Sequence, residues 1–438
     1  MTANVMYRPD IEQLDNDALH ALQAERLRNL IARLRSSDAP YWQHKLEGIG
    51  SVDSLEDLPD LPFTHKQEFR DAFPYGMVAI PMDRVVRIHA SSGTSGKPTI
   101  VAYSARDVAL FAQVNARSLS AAGGGPGDIV HVAYGYGLFT GGLGLHYGVE
   151  ELGAVAVPAS GGNPGFQVQL LADAGATGLA STPSFALLLA ERAAELGVKN
   201  EIGLRWGIHG AEAWSEELRV KVEAAWGDGY SACDIYGLSE VIGPGVAAEC
   251  WQNKGGMHIF EDHFYPEIVD VVTGEPVADG EAGELVITTL TKEAQPVIRY
   301  RTRDITRFLP GPCPCGRTSR RIGRLEGRAD DMLIIRGINV YPRTIEAVLM
   351  DDPDLGSNYA IIIDRRGPLP EVIARVEVAE HTDFGEAPTI ADRVQRRLAE
   401  IVRLRITVDV GRPGSIPRAE LGKARRVFEQ TSEADPVV

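Results

Sequence analysis

The sequence lacks any long apolar segment and contains few cysteines. No run of about 18 apolar residues occurs, which argues against a membrane-spanning helix, and residues 1–17 contain no apolar core of signal-peptide length. The chain has 4 cysteines in 438 residues, too few for a disulfide framework, so metal binding or packing is the expected role of each thiol. We therefore expect a cytoplasmic protein.

Positive charge is also scarce. The chain has 44 lysines and arginines against 60 aspartates and glutamates, and its formal net charge is −16. An excess of negative charge disfavours nucleic acid and anionic membranes as partners, so we expect small-molecule ligands. The length and the hydrophobic content of 44% predict two or more domains with a large buried core.

The most informative segment is the loop SSGTSGKPT at 91–99, which lies between apolar runs at 85–88 and 99–103. Backbone amides freed by glycine, hydroxyl groups and one lysine can surround phosphate oxygens. A P-loop would require glycine at position 91 and Ser or Thr at position 98, where Ser91 and Pro98 stand. The pattern therefore predicts a strand, a phosphate-binding loop and a second strand, with no helix beginning at the loop.

Most of the remaining first half of the chain alternates between helical and extended periodicity. This alternation predicts an α/β fold with a doubly wound, largely parallel sheet, whose strands bind ligands at their carboxyl ends. An amphipathic helix is expected at 14–36 and a short one within 55–74. The alternating elements are helices at 105–121, 143–152, 164–174, 183–197 and 215–227, and strands at 128–134, 154–158, 177–181, 203–209 and 233–236.

The second half predicts two further units. Short strands and turns indicate a β subdomain at about 256–326, which would complete an N-terminal domain of residues 1–327. Residues 328–438 predict a small α+β C-terminal domain that acts as a lid. Its expected elements are helices at 343–351 and 389–403, strands at 358–363, 371–378 and 406–410, and an irregular tail.

Two short motifs on predicted strands carry candidate ligand-binding groups. In YGLSE, Tyr236 can stack on a purine and Glu240 can hold Mg²⁺, although a tyrosine closing a strand and a glutamate starting a helix would look alike. In YRTRD, alternation places Arg301 and Arg303 on one side of a strand and Asp304 on the other. Asp304 can accept both hydroxyls of a ribose, and surface ion pairs are the alternative.

Two further motifs lie at the start and the end of the small domain. GRADD at 327–331 suits a hinge that changes backbone conformation. Lys423 follows a glycine near the C-terminus, and taken alone it has the character of a solvated surface charge.

The order of these motifs along one chain resembles the adenylate-forming superfamily of acyl-CoA synthetases, adenylation domains and luciferases. The resemblance covers nearly the full chain. Longer strings are similar to those of its phenylacetate-CoA ligase branch, namely SSGTSGKPT, AYGYGLFTGGLG, YGLSEVIGPGVAAEC, LTKEAQPVIRYRTRD and GRADDMLIIRGINVYP.

The resemblance implies a set of ATP-binding and catalytic residues. The loop would hold the β- and γ-phosphates, Tyr236 would pack on adenine, Asp304 would take the ribose hydroxyls and Glu240 would bind Mg²⁺. Asp330 would be the hinge, and Lys423 would bridge the substrate carboxylate and the α-phosphate. The full ATP-binding set is Ser91, Ser92, Gly93, Thr94, Ser95, Gly96, Lys97, Glu212, Asp234, Tyr236, Gly237, Ser239, Asp304 and Arg328, with Lys423 and Glu240 as catalytic residues.

The activity implied is an ATP-dependent aryl-acid:CoA ligase acting on phenylacetate or a benzoate-type acid. It would form an acyl-adenylate and pyrophosphate, and then transfer the acyl group to CoA after the lid withdraws Lys423. CoA is favoured because no carrier domain follows Lys423, and an adenylase serving an amine or a carrier protein is the alternative. A regulator that has lost catalysis is disfavoured by Lys423, Glu240 and Asp304. Arginines at 393–405 could attract CoA phosphates, although a solvated helix face is favoured.

The aryl acid is expected to bind near the glycine-rich loop 134–144 and the segment HGAE at 209–212. Aromatic side chains supply flat apolar surface there, and glycine leaves room for a ring, although such loops can also be plain turns. The expected pocket residues are Tyr134, Tyr136, Phe139, Gly210 and Ala211.

The last constellation consists of Cys250, His258, Cys313 and Cys315. Cys313 and Cys315 lie on the turn of a predicted hairpin, and Cys250 and His258 flank the same region. Three thiolates and one imidazole make a closed tetrahedral zinc site of the structural kind, with buried thiols as the alternative. Cys233 lies within a strand and is expected in the core. The oligomeric state is open, with a homodimer as one expectation.

Overall fold

The computed structural model describes residues 6–91, 98–212, 214–329, 333–335, 338–367, 369–418 and 425–432. The α-helices are α1 (Pro9–Glu12), α2 (Asn16–Arg35), α3 (Pro40–Lys45), α4 (Lys66–Asp71), α5 (Ala105–Ala121), α6 (Thr140–Glu151), α7 (Pro164–Asp173), α8 (Pro183–Glu195), α9 (Glu216–Trp226), α10 (Pro342–Met350) and α11 (Ala387–Val402). No helix within the described ranges is both long and apolar enough to cross a bilayer.

The β-strands of the large N-terminal domain are β1 (Val85–Ala90), β2 (Ile100–Ser104), β3 (Ile129–Val132), β4 (Val155–Val157), β5 (Gly178–Ser181), β6 (Trp206–Gly210), β7 (Ser231–Leu238), β8 (Gly243–Cys250), β9 (Asn253–Ile259), β10 (Phe264–Val269), β11 (Gly283–Thr289), β12 (Tyr300–Thr306), β13 (Phe308–Leu309), β14 (Arg321–Gly323) and β15 (Gly327–Arg328). The small domain adds β16 (Leu333–Ile335), β17 (Ile338–Val340), β18 (Leu355–Asp364), β19 (Glu371–Val378), β20 (Ile406–Gly411) and β21 (Val427–Gln430).

The large domain is built on one mixed sheet. Its nine strands run in the order β13-β14-β9-β8-β7-β6-β5-β3-β4. The neighbours from β4 to β7 are parallel, and those from β7 to β13 are antiparallel. The predicted doubly wound α/β fold is therefore confirmed, with an antiparallel extension at one edge.

Local signals explain where two of the helices begin. Ser104 caps α5, because its hydroxyl accepts from the amide of Asp107 while the Asp107 carboxylate accepts from the amide of Ser104. Thr182 caps α8, whose first residue is Pro183. By contrast, α6 begins at Thr140, three residues before its predicted start, and no side-chain cap marks that point in the sequence.

Helices cover the central sheet with two separate hydrophobic cores. On one side, α5 and α6 contribute Phe111 and Leu145 to a cluster that contains Val130 of β3. On the other side, α8 and α9 contribute Leu189 and Leu218 to a second cluster. The second cluster continues into the small domain, so the two domains share apolar contacts.

The predicted β subdomain at 256–326 is partly wrong. Residues 253–259, 308–309 and 321–323 form strands of the main sheet, and the separate sheet has the order β10-β11-β12-β15. The reason is that β9 turns back directly onto β8 and buries Met257 and Ile259 in the main core. The sequence switches to short strands near residue 256, but short strands alone do not show which strand each one will pair with.

The small domain also differs from its prediction in two places. Its sheet has the order β20-β19-β18-β21, with β21 in the tail that was expected to be irregular. β21 pairs in parallel with β18, a contact between distant segments. In addition, β15 pairs with β12 of the large domain, so Arg328 belongs to the large domain by its hydrogen bonds rather than to the predicted lid.

Candidate active site

The YGLSE and YRTRD motifs meet at the ends of neighbouring sheets. The Tyr236 hydroxyl donates to Asp304 Oδ2 at 2.6 Å, and Arg328 Nη1 lies 3.4 Å from Asp304 Oδ1. Burial raises the pKa of Tyr236 well above its usual value, so the phenol is protonated and remains a donor. The two contacts orient the Asp304 carboxylate from both sides.

The side chains of β12 divide as alternation predicts. Arg301 Nε donates to Glu284 Oε2 at 2.9 Å, and Arg303 Nη1 lies 3.6 Å from the same oxygen. Asp304 lies on the other side, against Tyr236. Both arginines therefore pair with the buried carboxylate of Glu284. Asp304 is the charged group of this motif that faces the candidate site.

Glu240 follows β7 in a tight turn, so the alternative in which it starts a helix is wrong. It is 4% exposed, and Lys66 Nζ lies 3.2 Å from its Oε1. Among the described residues, no hydrogen-bond donor is correctly directed at that oxygen, so the contact with Lys66 is an ion pair without good hydrogen-bond geometry. A buried carboxylate oxygen of this kind is open to a cation.

A second lysine lies behind Glu240. Lys292 is fully buried, its Nζ lies 3.4 Å from the carbonyl oxygen of Glu240, and it is 5.0 Å from the centre of the Tyr103 ring. Burial lowers the pKa of Lys292 to about 8. Lys66 and Lys292 were missed by the sequence analysis. Lys292 lies within the recognised string LTKEAQP, which was the one available signal for it.

The strands around the predicted phosphate loop are present. β1 and β2 are antiparallel, and the amide of Ser91 donates to the carbonyl of Thr99 at 2.9 Å. The strand–loop–strand arrangement is confirmed up to these two residues. The predicted residues that lie outside the described ones are Ser92, Gly93, Thr94, Ser95, Gly96, Lys97, Asp330 and Lys423.

The predicted acid pocket contains one residue with a clear structural role. The Tyr134 hydroxyl donates to the carbonyl of Ser181 at 2.6 Å and accepts from the amide of Gly210 at 2.9 Å. It therefore bridges the ends of β3, β5 and β6. A side chain at Gly210 would collide with the Ile235 carbonyl, because an added Cβ would lie 2.3 Å from that oxygen.

The other predicted pocket residues are more open. The Tyr136 hydroxyl lies 3.3 Å from His146 Nδ1, and Phe139 is 48% exposed. Ala211 has a φ of 68°, which is a strained backbone for a residue with a Cβ. These residues surround the carboxyl ends of the parallel strands, where ligands bind in such sheets.

Two carboxylates assigned to ATP lie close to the small domain. Glu212 Oε2 accepts from the Ser184 hydroxyl at 2.6 Å. Asp234 lies on β7 on the same side as Tyr236, and burial raises its pKa to about 8. Gly237 and Ser239 follow in the same strand and turn. The ATP-binding roles of these residues stay predictions.

Two of the arginines proposed to attract CoA form ion pairs with aspartates. Arg393 donates to Asp352 and Asp354 at 2.7 and 2.8 Å, and Arg397 pairs with Asp351. These contacts agree with the solvated helix face that the sequence analysis favoured.

The three cysteines and the histidine of the predicted zinc site lie close together in the fold. Cys250, His258, Cys313 and Cys315 are buried, and their ligand atoms all lie within 4.8 Å of one another. The Sγ atoms of Cys250 and Cys313 are 3.5 Å apart, and Cys315 Sγ is 3.4 Å from His258 Nε2. Hydrogen bonding from Cys250 lowers the pKa of Cys315 to about 2. The fourth cysteine, Cys233, is in the core as predicted.

The chain is similar to known proteins over nearly its whole length. The family model of AMP-binding enzymes matches residues 17–291, and the model of the AMP-binding enzyme C-terminal domain matches residues 337–431. A phenylacetate-coenzyme A ligase of Thermus thermophilus is 46% identical over 446 residues, which cover 97% of this chain and 99% of that protein.

Solved structures of a 2-hydroxyisobutyryl-CoA ligase also match. In its postadenylation state that ligase is 29% identical with a TM-score of 0.90, covering 98% of this chain and 94% of that one. In its thioesterification state, with 2-HIB-AMP and CoA, the TM-score is 0.72, covering 98% and 93%. The two domains of this chain are therefore arranged as in the first of these two states.

Proposed function

The chain belongs to the AMP-binding, adenylate-forming enzyme family, in the branch of the phenylacetate-CoA ligases, and from this premise we propose that it is an ATP-dependent aryl-acid:CoA ligase. The substrate is phenylacetate or a benzoate-type acid, and the products are aryl-CoA, AMP and pyrophosphate. The observation that carries the proposal is the contact of Tyr236 and Arg328, from distant motifs, with Asp304. The buried Glu240 follows Tyr236 in the turn after β7.

The reaction has two steps. A carboxylate oxygen of the acid attacks the α-phosphorus of ATP, and pyrophosphate leaves with the electron pair of the broken P–O bond. The thiolate of CoA then attacks the acyl carbon, and AMP leaves. Bound Mg²⁺ supplies charge neutralisation on the phosphates, and Glu240 is the residue that would hold it, in keeping with its buried and poorly hydrogen-bonded Oε1.

Named residues take the remaining roles. Asp304, held by Tyr236 and Arg328, accepts the ribose hydroxyls, and the loop at 91–97 holds the β- and γ-phosphates. Lys423 stabilises the charge that develops on the α-phosphate and then leaves with the small domain, which turns at Asp330. We place the domain boundary just after Arg328, because β15 still pairs with β12.

We also propose a structural zinc ion at Cys250, His258, Cys313 and Cys315. Three thiolates and one imidazole form the donor set of closed zinc sites. The four ligand atoms lie within 4.8 Å of one another, which fits a single bound ion.

The predicted homodimer is a separate proposal, which light scattering of the purified protein would test.

The function is tested by incubating the purified protein with MgATP, CoA and a panel of aryl acids. We expect AMP and an aryl-CoA thioester in equal amounts. An acyl-adenylate that accumulates and does not react with CoA would favour the adenylase alternative. A related protein named as the nonribosomal peptide synthetase asaC of Aspergillus flavus is only 25% identical and covers 42% of this chain, so this alternative is the weaker one.

A further inference from the structure

The two domains meet at a buried glutamate. Glu346 lies on α10 of the small domain and is 4% exposed. Its Oε1 accepts from the backbone amide of Ser215 in the large domain at 2.9 Å. Ser215 is also the N-cap of α9, whose Leu218 amide donates to its hydroxyl. A buried carboxylate of one domain thus holds the first turn of a helix in the other.

Tyr359 is the second hydrogen-bond donor to the Glu346 carboxylate. Its hydroxyl donates to Glu346 Oε2, and burial raises the pKa of the phenol well above its usual value, which keeps it a donor. The guanidinium of Arg426 lies over the Tyr359 ring, 4.6 Å from its centre. Arg426 Nη1 also donates to the carbonyl of Tyr359 at 3.0 Å. Glu346, Tyr359 and Arg426 therefore form one connected group within the small domain.

Arg426 connects this group to the large domain. Its Nη2 donates to the hydroxyl of Ser184 in the large domain at 3.0 Å. Ser184 in turn donates to Glu212 Oε2 through its hydroxyl at 2.6 Å and its amide at 3.3 Å. Glu212 directly follows Ala211 at the carboxyl end of β6. The contact path therefore runs from the small domain to the edge of the proposed acyl-adenylate site.

These contacts belong to one arrangement of the two domains. In this structure the small domain lies against α8 and α9, where Glu346 reaches Ser215 and Arg426 reaches Ser184. A small domain turned into another arrangement would lose both contacts. The same 2-hydroxyisobutyryl-CoA ligase matches this chain with a TM-score of 0.90 in its postadenylation state but 0.72 in its thioesterification state. Contacts formed in one state and broken in the other shift the balance between the two states.

We propose that Glu346, Tyr359 and Arg426 form an interdomain latch that stabilises the domain arrangement shared with the postadenylation state, which we take to be the arrangement in which the acyl-adenylate forms. The latch also positions Glu212 through Ser184. These are positioning residues, and none of them is required to contact the substrate. The inference rests on the proposed two-step ligase reaction. Its consequence is selective: breaking the latch slows acyl-adenylate formation and spares the reaction of acyl-adenylate with CoA.

The main variant is Arg426→Ala, with Arg425→Ala as the matched control. The Arg425 side chain is exposed, and its contacts with described residues lie within its own segment: Nε donates to the Val427 carbonyl at 3.2 Å, and the guanidinium lies 4.9 Å from the centre of the Phe428 ring. A charge-assisted hydrogen bond is strong enough that its loss slows adenylate formation about tenfold. Thioester formation from supplied acyl-adenylate should change less than twofold. Arg425→Ala should leave both steps as in the wild type.

Ser184→Ala tests the same contact from the other domain and leaves the segment that carries Lys423 unaltered. It should also slow adenylate formation selectively. The double variant should be no slower than the slower single variant, because both substitutions break one path. Equal loss of both half-reactions, no loss in either, or fully additive effects would each overturn the latch.

Hydrogen–deuterium exchange of the substrate-free protein gives a readout independent of chemistry. Arg426→Ala should raise amide exchange at the start of α9 and in α10, whereas Arg425→Ala should not. This result is expected even if the aryl acid assignment fails. Unchanged exchange in Arg426→Ala would reject the latch even if the wild type proves to be an aryl-CoA ligase.

Discussion

Replacing Cys315 by serine tests the proposed zinc site most directly. A tetrahedral site with Zn–S bonds of about 2.3 Å and a Zn–N bond of about 2.0 Å places neighbouring sulfurs ~3.8 Å apart and sulfur ~3.5 Å from nitrogen. The observed separations are 3.5 Å for Cys250 Sγ and Cys313 Sγ, and 3.4 Å for Cys315 Sγ and His258 Nε2. These two separations are close to the ones that a bound zinc ion would impose.

The metal should stabilise a weak part of the fold. Cys313 and Cys315 lie on the hairpin between β13 and β14, strands of only 2 and 3 residues. Zinc present at about a thousand times its dissociation constant would stabilise the native state by about 4 kcal/mol. Losing one of three thiolates removes most of this contribution, because the site is then left with an incomplete donor set.

Elemental analysis and thermal unfolding measure both effects. Wild-type protein purified without chelator should contain about one zinc per chain, and a strong chelator should lower its melting temperature. Cys315→Ser should contain little zinc and should melt at the same temperature with and without chelator. Cys233→Ser is the matched control, since this buried cysteine lies outside the cluster. Zinc-free wild-type protein that melts without regard to chelator would refute the site.

Three further outcomes follow from the candidate active site and its surroundings. Lys423→Ala should abolish acyl-adenylate formation while supplied acyl-adenylate still reacts with CoA, as separate half-reaction assays would measure. Asp304→Asn should raise the KM for ATP about tenfold or more, because a neutral amide is a poorer acceptor for ribose hydroxyls, while the KM for the aryl acid stays near its wild-type value. Burial lowers the pKa of His209 from 6.5 to about 4, so the unfolded state gains its proton first, and about 3 kcal/mol of stability is lost as the pH falls from 6.5 to 4. His209→Gln should flatten that pH dependence in chemical denaturation.

The alternating part of the large domain was predictable because strand and helix periods differ and because its contacts are local. Pro164 and Pro183 mark the first residues of α7 and α8, and the apolar runs between helices match β5 and β6 closely. The failures concern strand partners and, for β21, a strand in a tail that was expected to be irregular. β9 joins the main sheet and β21 joins β18, and no property of either segment alone selects the strand beside it.

The active site shows the same division. Tyr236 and Asp304 could be proposed as site residues because each stands in a recognisable motif, and the structure adds that they contact one another. Ser184 could not be assigned, because it looks like an ordinary residue in the first turn of a helix. Its importance arises only when a residue from the small domain, Arg426, comes within 3.0 Å.

The overall composition of the chain does not describe the charge near the proposed triphosphate site. A net charge of −16 disfavours nucleic acid and anionic membranes as partners, but it gives no information about the charge at one site. At Glu240, however, two lysines from distant parts of the chain come close. Lys66 pairs with the carboxylate, and Lys292 donates to the main-chain carbonyl. Lys292 is fully buried and cannot move away, whereas the Lys66 side chain is 47% exposed and can. The local charge of this site is set by two lysines and one glutamate, and the sum over the chain does not determine it.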